Sequence, residues 1–452
     1  MKKLWQKNKI KLDSVIEAFE TKDDLMVDQK LLEFDVLGSI AHAKMLSKIG
    51  IISQKELSLI IKGLIEILEL SSSGKFSLQS GDEDIHTKIE NFLTENYGMA
   101  GKKVHTGRSR NDQVLTAIRL YTKAELIFVW KDLLTLVESF LNFAKKYEFT
   151  PMPGYTHMQK AMPSSIGMWA GAFVEGLLDD LITLKAVYSL INKSPLGSAA
   201  GYGVPLNLDR EYTSKLLGFD TFQISSLYSQ NSRGKTEAIV LAALNSILLD
   251  INKFASDLLL FTTFEFGFFT VSESLSSGSS IMPQKKNIDI AELLRSKIGL
   301  TLGYYTQLIS ISSNLPSGYN RDLQDTKLPF IKALEITQDS LKVTNILVNN
   351  LSPNQERLEE ALTADIFATH SALELVSKGV PFREAYRKVG ANISNIKIGN
   401  KKEYLKKSIH IGGTGNLRLD SYEHQLKKEE QVYKHEKKKF TSAIQNLTTK
   451  KD

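Results

Sequence analysis

The stretch Gln113–Tyr147 contains neither proline nor glycine, and Val114, Ile118, Tyr121, Leu126, Val129, Leu133, Leu136 and Phe140 fall mostly three or four apart. That spacing predicts one uninterrupted helix with a continuous apolar face. Ser164–Asn192, Gly234–Phe269, Ile288–Ser313 and Leu328–Leu351 carry the same periodicity. Most of these segments exceed the usual ~8 to 20 residues of a globular helix. Long helices with apolar residues on more than one face bury themselves in a bundle, here one shared between copies of the chain. No strand-rich region and no solenoid-length repeat is visible. The expected fold class is all-α, a long-helix bundle.

Breaks in the periodicity divide the chain. Ser71-Ser72-Ser73-Gly74 ends a first helical region, and Gly98–Gly107 leads into the Gln113 helix. Pro151, Pro153 and Gly154 make a second break, Pro195–Pro205 a third, and Leu351-Ser352-Pro353 a fourth. Three parts are expected: an N-terminal helical domain at 1–108, a central long-helix domain at 109–360, and a small helical domain at 361–452.

Composition excludes several function classes. There are no cysteines, which removes disulfides, thiolate metal sites and thiol catalysis. Lys+Arg 57 against Asp+Glu 51 leaves +6, much of it in the lysine-rich stretch Lys427–Lys451, with no basic block interleaved with aromatics of the kind that binds nucleic acid. Met1–Lys7 has no apolar run behind its lysines, so no signal peptide is expected. The longest apolar stretch, Ser256–Phe269, is broken by Asp257, Glu265 and threonines and is too short for a membrane span. A soluble cytoplasmic protein is expected.

Chemistry-bearing residues concentrate in the breaks. Gly81-Asp82-Glu83-Asp84-Ile85-His86 opens a helix carrying Glu90. His105–Gln113 holds Arg108 and Arg110, planar forks suited to carboxylates. Asp112 there could simply cap the helix. Met152–Lys160 places His157 between Thr156 and Gln159. Gly318–Lys327 holds Tyr319, Asn320, Arg321, Gln324 and Lys327. No metal-ligand spacing, Walker loop or dinucleotide fingerprint occurs. Cofactor-free, metal-free chemistry on an anionic substrate is the indicated class.

The densest loop is Gly278-Ser279-Ser280-Ile281-Met282-Pro283-Gln284-Lys285-Lys286-Asn287. A helix is expected from about Ile288, with Asn287 as its N-cap, so lysines and backbone N–H groups would meet a negative charge there. Glycine and serines suggest a mobile lid. This loop resembles the signature of the fumarase/aspartase superfamily, whose members release fumarate by cleaving C–N or C–O bonds. Within it, His105–Val114, Pro153–Gln159, Pro195–Gly201 and Tyr319–Lys327 resemble the argininosuccinate lyase family. The likeness runs from about Phe34 to Ala385.

The resemblance implies a homotetramer with a central twenty-helix bundle, active sites built from three subunits, and no cofactor. It implies reversible cleavage of argininosuccinate to arginine and fumarate through a carbanion. Ser279 would be the general base, Lys285 the partner of the aci-carboxylate, and His157 the acid for the leaving nitrogen, with Glu292 as its partner. Arg110, Asn111, Thr156, Asn287, Tyr319, Arg321, Gln324 and Lys327 would hold substrate, with His86 at the edge. Adenylosuccinate lyase, or another fumarate-releasing lyase, is the near alternative. A non-enzymatic crystallin-like protein is the distant one. The chain departs from the pattern at Thr21–Asp28, where the family shows Ser-x-x-x-Asp, at Met162, and in the run Ser198–Gly203. No substrate contact is carried over to the first of these.

Overall fold

The computed structural model describes residues 14–79, 82–396 and 398–449, and among the first of these not the side chains of 14, 17–18 and 21–24. Met1–Lys7, Gly81, Lys450–Lys451 and the side chains of Thr21–Asp24 therefore lie outside the described residues.

The long elements are all helical. α1 (Ser14–Lys48), α2 (Gln54–Ser72) and α3 (Ile85–Gly101) precede α4 (Arg110–Lys146), the longest helix among the described residues. A hairpin of β1 (Pro151–Thr156) and β2 (Gln159–Ser165) leads into α5 (Ile166–Ile191). Two short helices, α6 (Arg210–Leu216) and α7 (Ser226–Asn231), precede α8 (Lys235–Phe261), α9 (Asp289–Ser312) and α10 (Lys327–Asn349). The chain ends through α11 (Gln355–Ala361), α12 (Ala368–Ser377), α13 (Phe382–Gly390), α14 (Lys401–Lys406) and α15 (Leu419–Thr448).

Helices α4, α5, α8, α9 and α10 form the bundle, with α8 against α9 and α4 against α5 as the most extensive pairings. α15 returns to lie along α4. One core runs from Val27 in α1 to Leu447 in α15, and residues 362, 366 and 367 make a separate small cluster. In the main core Phe140, Phe173, Phe254 and Trp169 interlock, with ring centroids 5.1–5.9 Å apart. α8 has the length and hydropathy of a membrane span, yet Leu241, Leu244, Ile247 and Leu258 lie within this core.

Where the observed elements differ from expectation, local chemistry explains it. α8 stops at Phe261, not Phe269, because the aromatic run beyond it turns back through Gly267 at φ +59°. The segment around His157 is a short antiparallel ladder rather than a loop, with Thr156 opposite Gln159. α9 is capped at Ile288, which offers no side-chain acceptor. Asn287 instead pairs with Ser277 in a two-residue ladder, correcting its expected role as N-cap. Ser109, not Asp112, caps α4; Asp112 sits at the third helical position and closes a capping box.

Candidate functional site

α1 carries a stripe of buried polar residues, Asp28, Asp35, Ser39 and His42, seven, four and three positions apart and thus on one helical face. Each meets one of the chemistry-bearing loops. Asp28 pairs with the Lys327 ammonium at 2.6 Å. Asp35 lies 2.9 Å from His86 Nδ1, an ion-pair distance without an aligned hydrogen bond. Ser39 Oγ accepts from Arg108 at 2.9 Å, and His42 Nε2 donates to the Thr106 carbonyl at 2.8 Å. The stripe was missed in the sequence; its signal is polar residues at helical spacing within an otherwise apolar run. Burial pulls the His86 pKa down, but the Asp35 carboxylate, with Asp84 and Asp28, outweighs it and holds it above its ordinary value. Burial, aided by the Arg108 charge, holds the His42 pKa well below its ordinary value.

The N-terminus of α4 presents Arg110 and Asn111. Arg110 donates to both oxygens of Glu83, at 2.6 and 3.4 Å, and lies 3.1 Å from Asp84, with 29% of its side chain exposed. Arg108 is buried, so of the two expected carboxylate binders Arg110 alone faces outward. Asp112 anchors this terminus: Oδ1 accepts from Ser109 N at 2.9 Å, and Oδ2 from Gly197 N at 3.0 Å and Ala199 N at 2.9 Å. That ties Arg110 and Asn111 to the Pro195–Gly201 loop. Burial pushes the Asp112 carboxyl up to about 6, against the backbone donors.

His157 and Met158 form the two-residue tip of the β1–β2 hairpin, with φ of +52° and +60°. Positive φ at both positions is the type I′ geometry that matches strand twist. It is uncommon for residues other than Gly, Asn or Asp and costs on the order of 1–3 kcal/mol each. The hairpin is braced by Tyr155, whose ring lies 5.6 Å from that of Phe266. The tip, with Thr156, His157 and Gln159, is exposed.

The signature loop is closed by antiparallel pairing of Ser277–Gly278 with Lys286–Asn287. Ser279 Oγ accepts from the backbone N–H of Met282 at 3.1 Å and of Ile281 at 3.4 Å. Lys286 is bound to Glu273 at 2.5 Å, whereas the Lys285 ammonium has no ion pair among the described residues. Of the two lysines, Lys285 is the one open to a ligand. Glu292 is exposed in the first turn of α9.

Residues 321–326 form a 3-10 turn into α10. Arg321 pairs with Glu20 at 3.3 Å, and Gln324 Oε1 accepts from Arg233 Nη2 at 2.8 Å. His86, Arg110 and Lys327 thus gather around α1 and the start of α4. No hydrogen bond or ion pair among the described residues joins the signature loop to the His157 hairpin.

A family model described as a lyase matches residues 7–303. The argininosuccinate lyase of Thermotoga neapolitana is 43% identical over 401 residues, spanning 89% of this chain and 99% of that protein. That of Sorangium cellulosum is 41% identical over 424 residues, 94% of this chain and 98% of that protein. Among solved structures, an EDDS lyase in complex with formate superposes with a TM-score of 0.83 at 23% identity, covering 97% of this chain and 95% of the other. A class II fumarase from Schistosoma mansoni gives 0.71 at 18% identity, covering 95% and 96%. These two structures share the long-helix fold.

Proposed function

The chain belongs to the argininosuccinate lyase family, and on that premise we propose that it converts argininosuccinate to arginine and fumarate, the closing step of arginine biosynthesis, with the residue roles set out below. The likeness carried by Gly278–Asn287, Arg108–Gln113 and Tyr319–Lys327 is borne out for fold and reaction class. The adenylosuccinate and crystallin-like alternatives are not favoured.

The carrying observation for the roles is the state of the signature loop. Two backbone N–H groups already point at Ser279 Oγ, and donors aimed at an oxygen favour its anionic form. That is what a serine needs to take the proton from the carbon beside a succinyl carboxylate. The electron pair left behind spreads into that carboxylate as an aci-carboxylate. Lys285, and the first-turn N–H groups of α9 left without a side-chain cap by Ile288, stabilise it electrostatically. The carbon–nitrogen bond then breaks, and His157, partnered by Glu292, gives the proton to the departing guanidino nitrogen. Arg110, Asn111, Thr156 and Asn287 hold the succinyl end. Tyr319, Arg321, Gln324 and Lys327 are left for the arginine end, and His86 supports Lys327 through the α1 stripe.

The hairpin and the signature loop face outward in one chain, so the reading requires other copies to complete the site. Exposed apolar residues flanking the packed face of α9 support this: Leu293 and Leu300 on one side and Leu302 and Ile309 on the other are 44–53% exposed. The proposed assembly is a homotetramer with sites shared by three subunits, working in the cytoplasm, a reading the family likeness supports. The test is fumarate release by the purified protein, followed by ultraviolet absorbance, from argininosuccinate and separately from adenylosuccinate. Release from the first alone is expected; release from the second alone, or from neither, overturns the proposal.

A further inference from the structure

We propose that Arg233 is a positioning residue for the arginine end of the substrate, acting through Gln324 and Tyr319 from the side away from the ligand. The proposal rests on the reading that this loop holds substrate. Arg233 follows α7 and is 3% exposed. Its Nη2 donates to Gln324 Oε1 at 2.8 Å, and its guanidinium lies 5.3 Å from the centre of the Tyr319 ring. Two residues earlier, Asn231 Oδ1 accepts from Gly318 N at 2.8 Å, and Asn231 Nδ2 donates to Ser317 Oγ at 3.3 Å. One turn thus grips the loop at residues 317, 318, 319 and 324. Its own backbone is fixed by Gly234, at φ +79°, whose N–H donates to Glu237 at 2.6 Å. A Cβ on Gly234 would meet Ser312 Oγ at 2.1 Å, so the turn packs closely against the end of α9.

The chemical consequence lies in the Gln324 amide. A primary amide has one acceptor oxygen and two N–H donors. Arg233 has only donors and therefore claims the oxygen, which fixes the orientation of the amide. Gln324 Nε2 is left to donate to the ligand. The subsite so built prefers an acceptor, such as the carboxylate of an amino acid, and the buried positive charge of Arg233 behind it favours a negative charge there.

Steady-state kinetics of Arg233→Gln, Gln324→Ala, the double variant and Gln324→Glu test this. Arg233→Gln is expected to raise KM for argininosuccinate about tenfold or more, with kcat changed only a few-fold, as for loss of a binding interaction. Product inhibition by arginine weakens in step, while inhibition by fumarate does not. In the Gln324→Ala background, Arg233→Gln adds little further, because it acts through that amide. Gln324→Glu keeps the Arg233 pair but turns an acceptor toward the ligand, so KM rises although the fold is undisturbed. Equal loss of arginine and fumarate inhibition, full additivity in the double variant, or wild-type KM in Gln324→Glu overturns the proposal. Wild-type KM in Gln324→Ala overturns the underlying reading of the loop as well, and so separates the two failures.

Discussion

Replacing Asp112 by asparagine is expected to stabilise the protein at neutral pH, although it weakens a side chain with three hydrogen-bond donors around it. The carboxyl is pushed up to about 6 from an ordinary 3.8, with burial as the dominant cause. A shift of that size means the charged form destabilises the folded state by about 3 kcal/mol at pH 7, the opposing hydrogen bonds already included. The sign follows from proton linkage. Between pH 4 and 6 the folded chain binds more protons at this site than the unfolded chain, so stability is full below 3.8 and falls as pH rises through about 6. Asparagine mimics the protonated acid in shape and charge. Its amino group, however, faces the Ser109 N–H donor, a mismatch that costs about 1 kcal/mol at every pH. At pH 4, where the unfolded carboxyl is about half ionised, the balance is a loss of less than about 1 kcal/mol, and at pH 7 it is a gain of about 2 kcal/mol. Urea unfolding of Asp112→Asn and wild type at fixed protein concentration, at both pH values, reads the difference. An equal destabilisation at the two pH values would mean instead that the carboxyl titrates as in solvent, with no burial penalty to relieve.

Other perturbations follow from the same structure. Ser279→Ala and His157→Asn should each lower kcat by about 10² to 10⁴ with unchanged circular dichroism; near-wild-type turnover in both would end the role assignment. The raised pKa of His86 means its pairing with Asp35 stabilises fully below 6.5 and is lost as pH rises through the folded value. Asp35→Asn should therefore lower the melting temperature more at pH 6 than at pH 9, and equal shifts would count against the pair. Leu300→Lys places a charge on the exposed face of α9, where Leu300 is 48% exposed. Sedimentation should show smaller species and activity should fall; an intact assembly would remove that face from the interface.

The helices were legible because their cores are periodic: the five long segments were found within a few residues, apart from the C-terminal end of α8. Local competition hid the rest. Phe261–Phe269 stays apolar after the helix ends, because the aromatic residues pack against Tyr155 instead of continuing α8. Pro151 and Pro153 read as loop signals, yet both fit the ladder, and the turn at His157 uses none of the glycine or asparagine that usually announces positive φ. Side-chain preference alone favours Asn287 as the cap, but strand pairing with Ser277 takes it. Among candidate site residues, the loops were visible as polar clusters, but which charges are already engaged was not. Arg108 and Arg110 look alike in sequence; Ser39 buries one, and Glu83 and Asp84 hold the other at the surface. Likewise only the structure separates Lys285 from Lys286, by giving Glu273 to the second.

If Ser279 and His157 carry out carbon–nitrogen cleavage at a site no single chain completes, subunits carrying different lesions complement one another. Purified Ser279→Ala and His157→Asn proteins are dissociated together, reassembled, and assayed for fumarate release from argininosuccinate. Two silent parents and an active mixture are expected, since some sites receive an intact serine from one chain and an intact histidine from another. A mixture as silent as its parents, from properly assembled protein, would contradict a site shared between chains.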